Sequence, residues 1–215
     1  MLRLKSEGAC GFCKRTVASN AVAKHLQICK ERTKANLEKG GSEQIFLIKA
    51  SAGPFFVYFE AEGSATLKNV DSFLRDIWLE CCGHLSTFEI EGVTYAYEPQ
   101  PEYNDKSMNI KLDAVLRPVL SFGYEYDFGT TTALAMKCIS IRIGKLKGIQ
   151  TLARNNLQEF ACSKCGKPAK EICSQCVYEG EALLCRPCAK KHECGEEMLL
   201  PVVNSPRMGM CGYTG

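Results

Sequence analysis

The sequence predicts an α+β protein: a central, mostly antiparallel sheet with helices on one face, flanked by two small zinc-binding modules. Three observations carry this. Between residues 45 and 145, strand-like runs bounded by turns are interrupted by a stretch of three-to-four spacing and a short helix, in the order β-β-α-β-β-α-β-β. Residues 10–29 and 162–194 instead carry cysteine and histidine at metal-ligand spacings. What joins them is polar or basic, and the last fifteen residues are a glycine-bearing tail.

In chain order, the first motif is Cys10-Gly-Phe-Cys13, completed by His25 and Cys29 in the pattern C-x2-C-x11-H-x3-C. Thiolates with two residues between them can hold one ion from a tight turn. Ser19-Asn20 can cap a helix over residues 21–32, on which His25 and Cys29, four apart, face the knuckle together. Val22 and Leu26 would cover Phe12 and Val17 as a miniature core. Spacing and composition resemble the C2HC zinc fingers. Lys14, Arg15, Lys24, Lys30, Arg32 and Lys34 give this segment a basic surface, opposed only by Glu31. Such a surface suits phosphate contacts to a nucleic acid; a protein partner or a purely structural, solvated face are the alternatives. Residues 34–44, with Gly-Gly-Ser, read as a linker after a finger spanning 1–33.

In the central region, residues 45–50 and 55–60 read as two strands joined by a turn containing Gly53-Pro54. Residues 66–82 show helical spacing through Leu67, Val70, Phe73, Leu74, Ile77, Trp78 and Cys81, with Gly83 as the stop. Residues 86–91 and 93–98 flank Glu91-Gly92 as a hairpin. A short helix over 112–116 leads to strands near 121–128 and 132–144.

Phe73-Leu-Arg-Asp-Ile-Trp78, Cys81-Cys-Gly-His-Leu85 with Phe88, and Tyr124-Glu-Tyr-Asp-Phe-Gly129 resemble the plasmid pRiA-type ORF-three-like family, whose members are also labelled passenger proteins of insertion elements. The closing Leu200-to-Tyr213 segment resembles the tail of its zinc-bearing members. The resemblance covers residues 45–145 and the tail. It implies an α+β fold and an association with mobile elements, and no established reaction. Thr130-Thr131-Thr132 stand where that family commonly has an acidic and an aromatic residue. A recombinase reading lacks a serine-recombinase motif.

His84, Glu125 and Asp127 are the residues from which a hydrolytic or metal site in the central domain could be built. The simpler reading has His84 capping a helix end and Asp127 anchoring a turn before Gly129. Asp127-Phe-Gly129 lacks the other kinase motifs. Cys81, Cys82 and His84 as a metal site are weighed against a core role for Cys81, which lies on the apolar helical stripe. No catalytic residue is assigned.

Residues 146–160 read as a basic linker carrying Lys147 and Arg154 just after Lys145, either extending the finger's positive surface or merely connecting. Beyond it lie Cys162/Cys165, Cys173/Cys176, Cys185/Cys188, His192 and Cys194: eight soft ligands, enough for two tetrahedral ions. The spacers suit interleaved ligation, with the first and third knuckles on one ion and the second knuckle, His192 and Cys194 on the other. Cys211 in the tail competes with Cys194 for the last place, and Cys194 is favoured. The module, residues 161–200, resembles cross-brace zinc domains of the B-box and MYND kind, which implies a protein partner. Residues 201–215 form the tail.

Fourteen cysteines against three histidines set this chain apart, and their CxxC pairing favours metal over disulfides and a reducing compartment. The N-terminus shows no apolar signal region, and no apolar run approaches membrane-spanning length, so a cytoplasmic protein with no membrane contact is expected. The net charge of +3 conceals segregation: residues 1–40 carry nine Lys/Arg against three Asp/Glu, residues 45–128 six against thirteen, and residues 129–160 five against one. A basic head beside an acidic body fits a polyanionic partner or head-to-body contact. The reading is a zinc-binding protein with three ions, acting as a nucleic-acid- or protein-binding accessory factor. A metal-dependent hydrolase or nuclease, and a purely structural interaction protein, are the competing readings.

Overall fold

In the computed structural model the chain is described from Ser6 to Gly215, without the side chains of residues 37–39. The first five residues of the finger segment, which bear on the absence of a secretory signal, lie outside the described residues. Strands β1 (Glu7–Cys10) and β2 (Thr16–Ala18) precede helices α1 (Val22–Ile28) and α2 (Lys30–Lys39). Then come β3 (Glu43–Ala52), β4 (Phe55–Glu62), α3 (Leu67–Leu74) with a π-turn over Arg75–Leu79, β5 (Ser86–Ile90), β6 (Val93–Ala96), β7 (Lys106–Ser107), α4 (Leu112–Val115), β8 (Ser121–Tyr126), β9 (Thr132–Gly144) and β10 (Gln150–Asn155). The last module holds β11 (Glu171–Cys173), β12 (Leu183–Leu184), α5 (Arg186–Ala189) and β13 (Leu199–Pro201).

The first ten strands form one sheet in the order β2-β1-β10-β4-β3-β9-β8-β5-β6-β7, antiparallel except for the β6–β7 pair. A three-stranded sheet, β12-β11-β13, organises the C-terminal module. The fold is therefore α+β with a mostly antiparallel sheet. Glu91 and Gly92, both with positive φ (52° and 76°), turn the β5–β6 hairpin in the way a right-twisted ribbon requires. Among the described residues no helix is long and apolar enough to cross a membrane.

Strand β4 explains how the layers stack. Its sequence Phe-Phe-Val-Tyr-Phe-Glu-Ala is buried without a break, so both faces of the sheet are covered here. Phe55, Val57, Phe59 and Ala61 join Leu67, Val70, Leu74 and Trp78 in the main core under α3. Phe56 and Tyr58, pointing the other way, pack with Val22, Leu26, Cys10 and Cys29 of the finger. Alternation along one strand thus serves two cores.

Several segments depart from the expected boundaries. The finger helix spans 22–28 rather than 21–32, with Ala21 at its N-cap and no side-chain cap from Ser19 or Asn20. It stops because Cys29 turns extended (ψ 111°), and α2 starts afresh at Lys30. Arg32 Nη1 donates to the Leu26 carbonyl (2.6 Å), satisfying an acceptor that the broken helix leaves open. The central helix keeps its stripe and begins with a reciprocal Thr66–Asn69 capping box, but it ends at Leu79 instead of continuing to Cys82. A π-turn closes it, and Glu80 (ψ 125°) leads the chain away. Residues 34–44 are not a free linker: α2 runs to Lys39 and β3 starts at Glu43. Residues 146–160 likewise contain β10, inserted between β1 and β4 with Leu152 and Ala153 buried. The basic stretch has enough alternation for a strand, but only the unpaired edge of β4 makes it one.

One buried ion cluster locks finger to sheet. Glu60, 1% exposed, accepts from Arg32 Nη2 (2.5 Å) and from Arg142 Nε and Nη2 (2.8 and 2.7 Å). Burial alone would raise the Glu60 carboxyl, yet the two guanidinium groups outweigh it and hold it below the usual carboxylate value. Glu60→Ala leaves Arg32 buried without its partner and is expected to cost about 3 kcal/mol, read from the urea midpoint. Because the folded-state value is depressed, this contribution is present above the unfolded carboxyl pKa near ~4.3 and fades as pH falls through the folded value. A midpoint unchanged by the substitution at neutral pH contradicts this role.

Candidate metal centres

The first knuckle is a hairpin turn. Cys10 N donates to Arg15 O (3.0 Å), Lys14 N donates to Cys10 O (3.0 Å), and Lys14 takes the left-handed conformation (φ 60°). The Cys162 knuckle repeats it: Gly166 N donates to Cys162 O (2.9 Å), Cys162 N donates to Lys167 O (2.7 Å), and Gly166 (φ 73°) fills the left-handed position. Cys185 instead caps α5, which puts Cys188 one turn along on the same side.

Four groups of four ligand atoms result, each within 4.8 Å of one another: Cys10, Cys13, His25 and Cys29; Cys162, Cys165, Cys185 and Cys188; Cys173, Cys176, His192 and Cys194; and Cys81, Cys82, His84 and Cys211. These could hold metal ions. Within the first three, the close contacts are Cys13 Sγ to His25 Nε2 at 3.3 Å, Cys10 to Cys29 at 4.0 Å, Cys165 to Cys185 at 3.5 Å and to Cys188 at 3.6 Å, and Cys176 to His192 Nε2 at 3.5 Å and to Cys194 at 3.6 Å. A tetrahedral ion with metal–sulfur bonds near 2.3 Å spaces its sulfurs about 3.8 Å apart, whereas a disulfide needs about 2.0 Å. The spacing suits a shared ion, and all fourteen cysteines are free thiols.

The electrostatics point the same way. Burial pushes the Cys162 thiol up, but the backbone amides of Cys185, Lys164 and Cys165 outweigh it and draw the group down to about 6. Cys173 is likewise drawn to about 7 against burial, by the Cys176 amide, the His192 side chain and the Gln175 amide. Meanwhile Cys176, crowded first by Cys194, and Cys188, crowded first by Cys185, are pushed up to about 12. Packed thiols that cannot all ionise beside one another can do so around a cation.

The interleaved arrangement in the C-terminal module thus brings the first knuckle to the third and the second to His192 and Cys194. Cys211 does not compete with Cys194. It lies with Cys81, Cys82 and His84, the trio that the sequence weighs as a metal site against a core role for Cys81; the fourth member escapes a reading along the chain because it is 127 to 130 residues further on. A signal was nonetheless present: the four groups use all three histidines and every cysteine except Cys138, which is fully buried in the main core. Counting the soft ligands left over would have raised the question.

The basic residues of the finger divide. Lys14, Arg15, Lys24, Lys30 and Lys34 are exposed, while Arg32 is 7% exposed and turned inward to Glu60. Arg32 therefore belongs to the core, since the broken helix points it at β4. Arg15 and Lys30 line a hollow of about 370 Å³ together with Cys13, His25, Ile28, Cys29 and Glu31. Lys145 sits beside Gly41, past the end of α2, so the basic stretch starts next to the segment that joins the finger to β3. Arg154, by contrast, lies over the Trp78 ring and donates to Asn204 O (2.5 Å).

In the central domain His84 Nδ1 lies 3.5 Å from Asp127 Oδ1, and Glu125 lies apart from them, exposed and paired across the sheet with Thr87. Asp127 does anchor the turn, accepting from Gly129 N (3.0 Å) and Thr130 N (3.3 Å). Burial would raise its carboxyl, but Thr130, Arg207 and these amides hold it far below the ordinary carboxylate value. His84 does not cap the helix, because the chain has already left it at Glu80.

No protein-family model matches the sequence, and no curated protein matches it. Among solved structures, it is similar to a protein of unknown function from Methanosarcina mazei Go1, at 16% identity and a TM-score of 0.43, over 55% of this chain and 70% of that one. At that level the likeness carries no functional argument.

Cys162→Ser is expected to lower the metal content by one ion per chain relative to the parent. It should also speed amide exchange in β11 and β12 while β3 and β4 stay protected. An unchanged metal content under elemental analysis contradicts the assignment of Cys162 as a ligand.

Proposed function

We propose that the protein is a zinc-binding accessory factor without catalytic activity, which docks nucleic acid through its N-terminal finger and a protein through its C-terminal module. Three zinc ions in the finger and the cross-braced module serve as scaffold. Zinc is favoured because thiolate and imidazole donors at tetrahedral spacing match its preference. Each group supplies four protein ligands, leaving no open position for substrate.

The observation that carries the nucleic-acid half is the pair Arg15 and Lys30 lining a hollow beside one metal group, in a segment with three further exposed cations. A phosphate there would meet two donors on a surface the scaffold holds rigid. Lys145 and Lys147, exposed and beyond the end of α2, would lengthen the same positive track. The resemblance to plasmid ORF-three-like proteins agrees with work on nucleic acid. The protein half is supported by a hollow of about 570 Å³ in the module, lined by Leu199, Leu200 and Pro201 together with Lys170, Arg186, Lys190, Glu171 and Glu196. Apolar side chains beside charges of both signs suit a peptide segment that itself carries apolar and charged residues.

Binding to a short duplex should weaken steeply as salt rises, with a log–log slope set by the number of phosphates neutralised. Replacing Arg15 and Lys30 together by Ala should reduce that slope by roughly 2. Arg32→Ala, a change to the core, should lower stability and leave the slope alone. Absence of binding at low salt refutes the nucleic-acid half.

A further inference from the structure

We propose that Cys81, Cys82, His84 and Cys211 bind a fourth ion of the soft, thiolate-seeking class to which zinc belongs, and that this ion fastens the C-terminal tail to the central sheet. The inference stands apart from the nucleic-acid reading. It rests on the ligand geometry, on the residues arranged behind the ligands, and on strained backbone at the meeting point.

The ligand atoms converge from two distant parts of the chain. Cys82 Sγ lies 3.0 Å from His84 Nε2 and 3.5 Å from Cys211 Sγ, and His84 Nε2 lies 3.3 Å from Cys211 Sγ. Cys81 Sγ is 3.6 Å from Cys82 Sγ. Three sulfurs and a nitrogen at these separations match the other three groups.

The groups behind the ligands are those of a metal site. With Nε2 among the sulfurs, His84 turns Nδ1 toward the Asp127 carboxylate, the arrangement that orients a metal-bound imidazole. Arg207, fully buried, ion-pairs with Asp127 and puts Nη2 3.6 Å from Cys81 Sγ, so a cation faces the thiolate-rich shell. Arg75 Nη2 holds the His84 carbonyl (2.7 Å), and Glu80 Oε1 accepts from Gly83 N (2.6 Å), shaping the loop between the cysteines and the histidine. Cys211 and Asp127 both take the left-handed conformation (φ 46° and 63°) without being glycine. Strained backbone of this kind persists where surrounding structure holds it, and functional sites are where it gathers.

The ion would complete an anchorage that the tail already begins. Ser205 Oγ donates to Trp78 O (2.6 Å), Arg207 Nη1 to Thr130 O (2.6 Å), and Tyr213 is buried. At the base of the C-terminal module, Asn155 and Asn204 exchange bonds (2.6 and 2.9 Å). The module is thus a long excursion whose return strand is tied down twice, and Cys211 is the far tie. On coordination the thiols release their protons to solvent.

The test uses the full-length chain, reduced and loaded with zinc. Elemental analysis should find one zinc fewer in Cys211→Ser than in the parent. Mass-mapped alkylation of the parent by N-ethylmaleimide should show Cys82 and Cys211 protected despite their exposure, and reactive once a chelator is added. In Cys211→Ser, Cys82 should lose protection while Cys165 keeps it, and trypsin should gain the bond after Arg207. Equal zinc in parent and variant overturns the proposal. So does free alkylation of Cys82 and Cys211 in the zinc-loaded parent, or a Cys82–Cys211 disulfide in its mass spectrum. The alkylation of the parent decides the matter even if the variant folds poorly.

Discussion

Thiols that crowd within 4.8 Å of one another impose a constraint the rest of this molecule respects. Each prefers to be a thiolate near a cation and a neutral thiol near other thiolates, so a cluster without a cation is electrostatically frustrated. The chain builds four such clusters and spends nearly all its cysteine and histidine on them. Around three of them the backbone is bent to suit: turns with left-handed Lys14 and Gly166, a helix stopped at Cys29, another stopped at Leu79 by a π-turn. The secondary structure ends where the ligands must point.

The clusters sit on a sheet that gives them positions relative to one another. Strand β4, apolar on both faces, receives α3 on one side and the finger on the other, and Glu60 binds the finger through Arg32. The finger is therefore part of the sheet's second core. A buried network of Asp71, Arg75, Ser86 and Tyr124 performs the corresponding task on the other face. Asp71 accepts three bonds and Arg75 reaches the His84 carbonyl, so this network sets the approach of the Cys81–His84 loop.

Much of this was legible beforehand, for definite reasons. The apolar runs 45–50 and 55–60 with the turn between them, the stripe from Leu67 to Trp78 and the Glu91-Gly92 turn are local signals, and each produced its element. The three CxxC knuckles and the first C2HC pattern are also local, because a turn two residues wide suffices to aim two sulfurs. Misplaced boundaries came from tertiary claims on single residues. Arg32 was grouped with the exposed cations because its neighbours in sequence are exposed, yet Glu60 lies 28 residues away and draws it inward. Residues 146–160 looked like a connector because their partners, β1 and β4, are distant in the chain.

What the amino-acid sequence determined by itself was the antiparallel α+β core, the interleaved cysteine pattern and the separation of basic head from acidic body. Each depends on residues close together or on composition. Only the tertiary structure decided that the finger shares the central sheet, that Arg32 is structural, and that Cys211 meets Cys81, Cys82 and His84. That last group joins a loop to a tail 127 to 130 residues on, and no periodicity records such a meeting. It follows from the path of the tail, which Arg207 and Ser205 hold against Asp127 and Trp78.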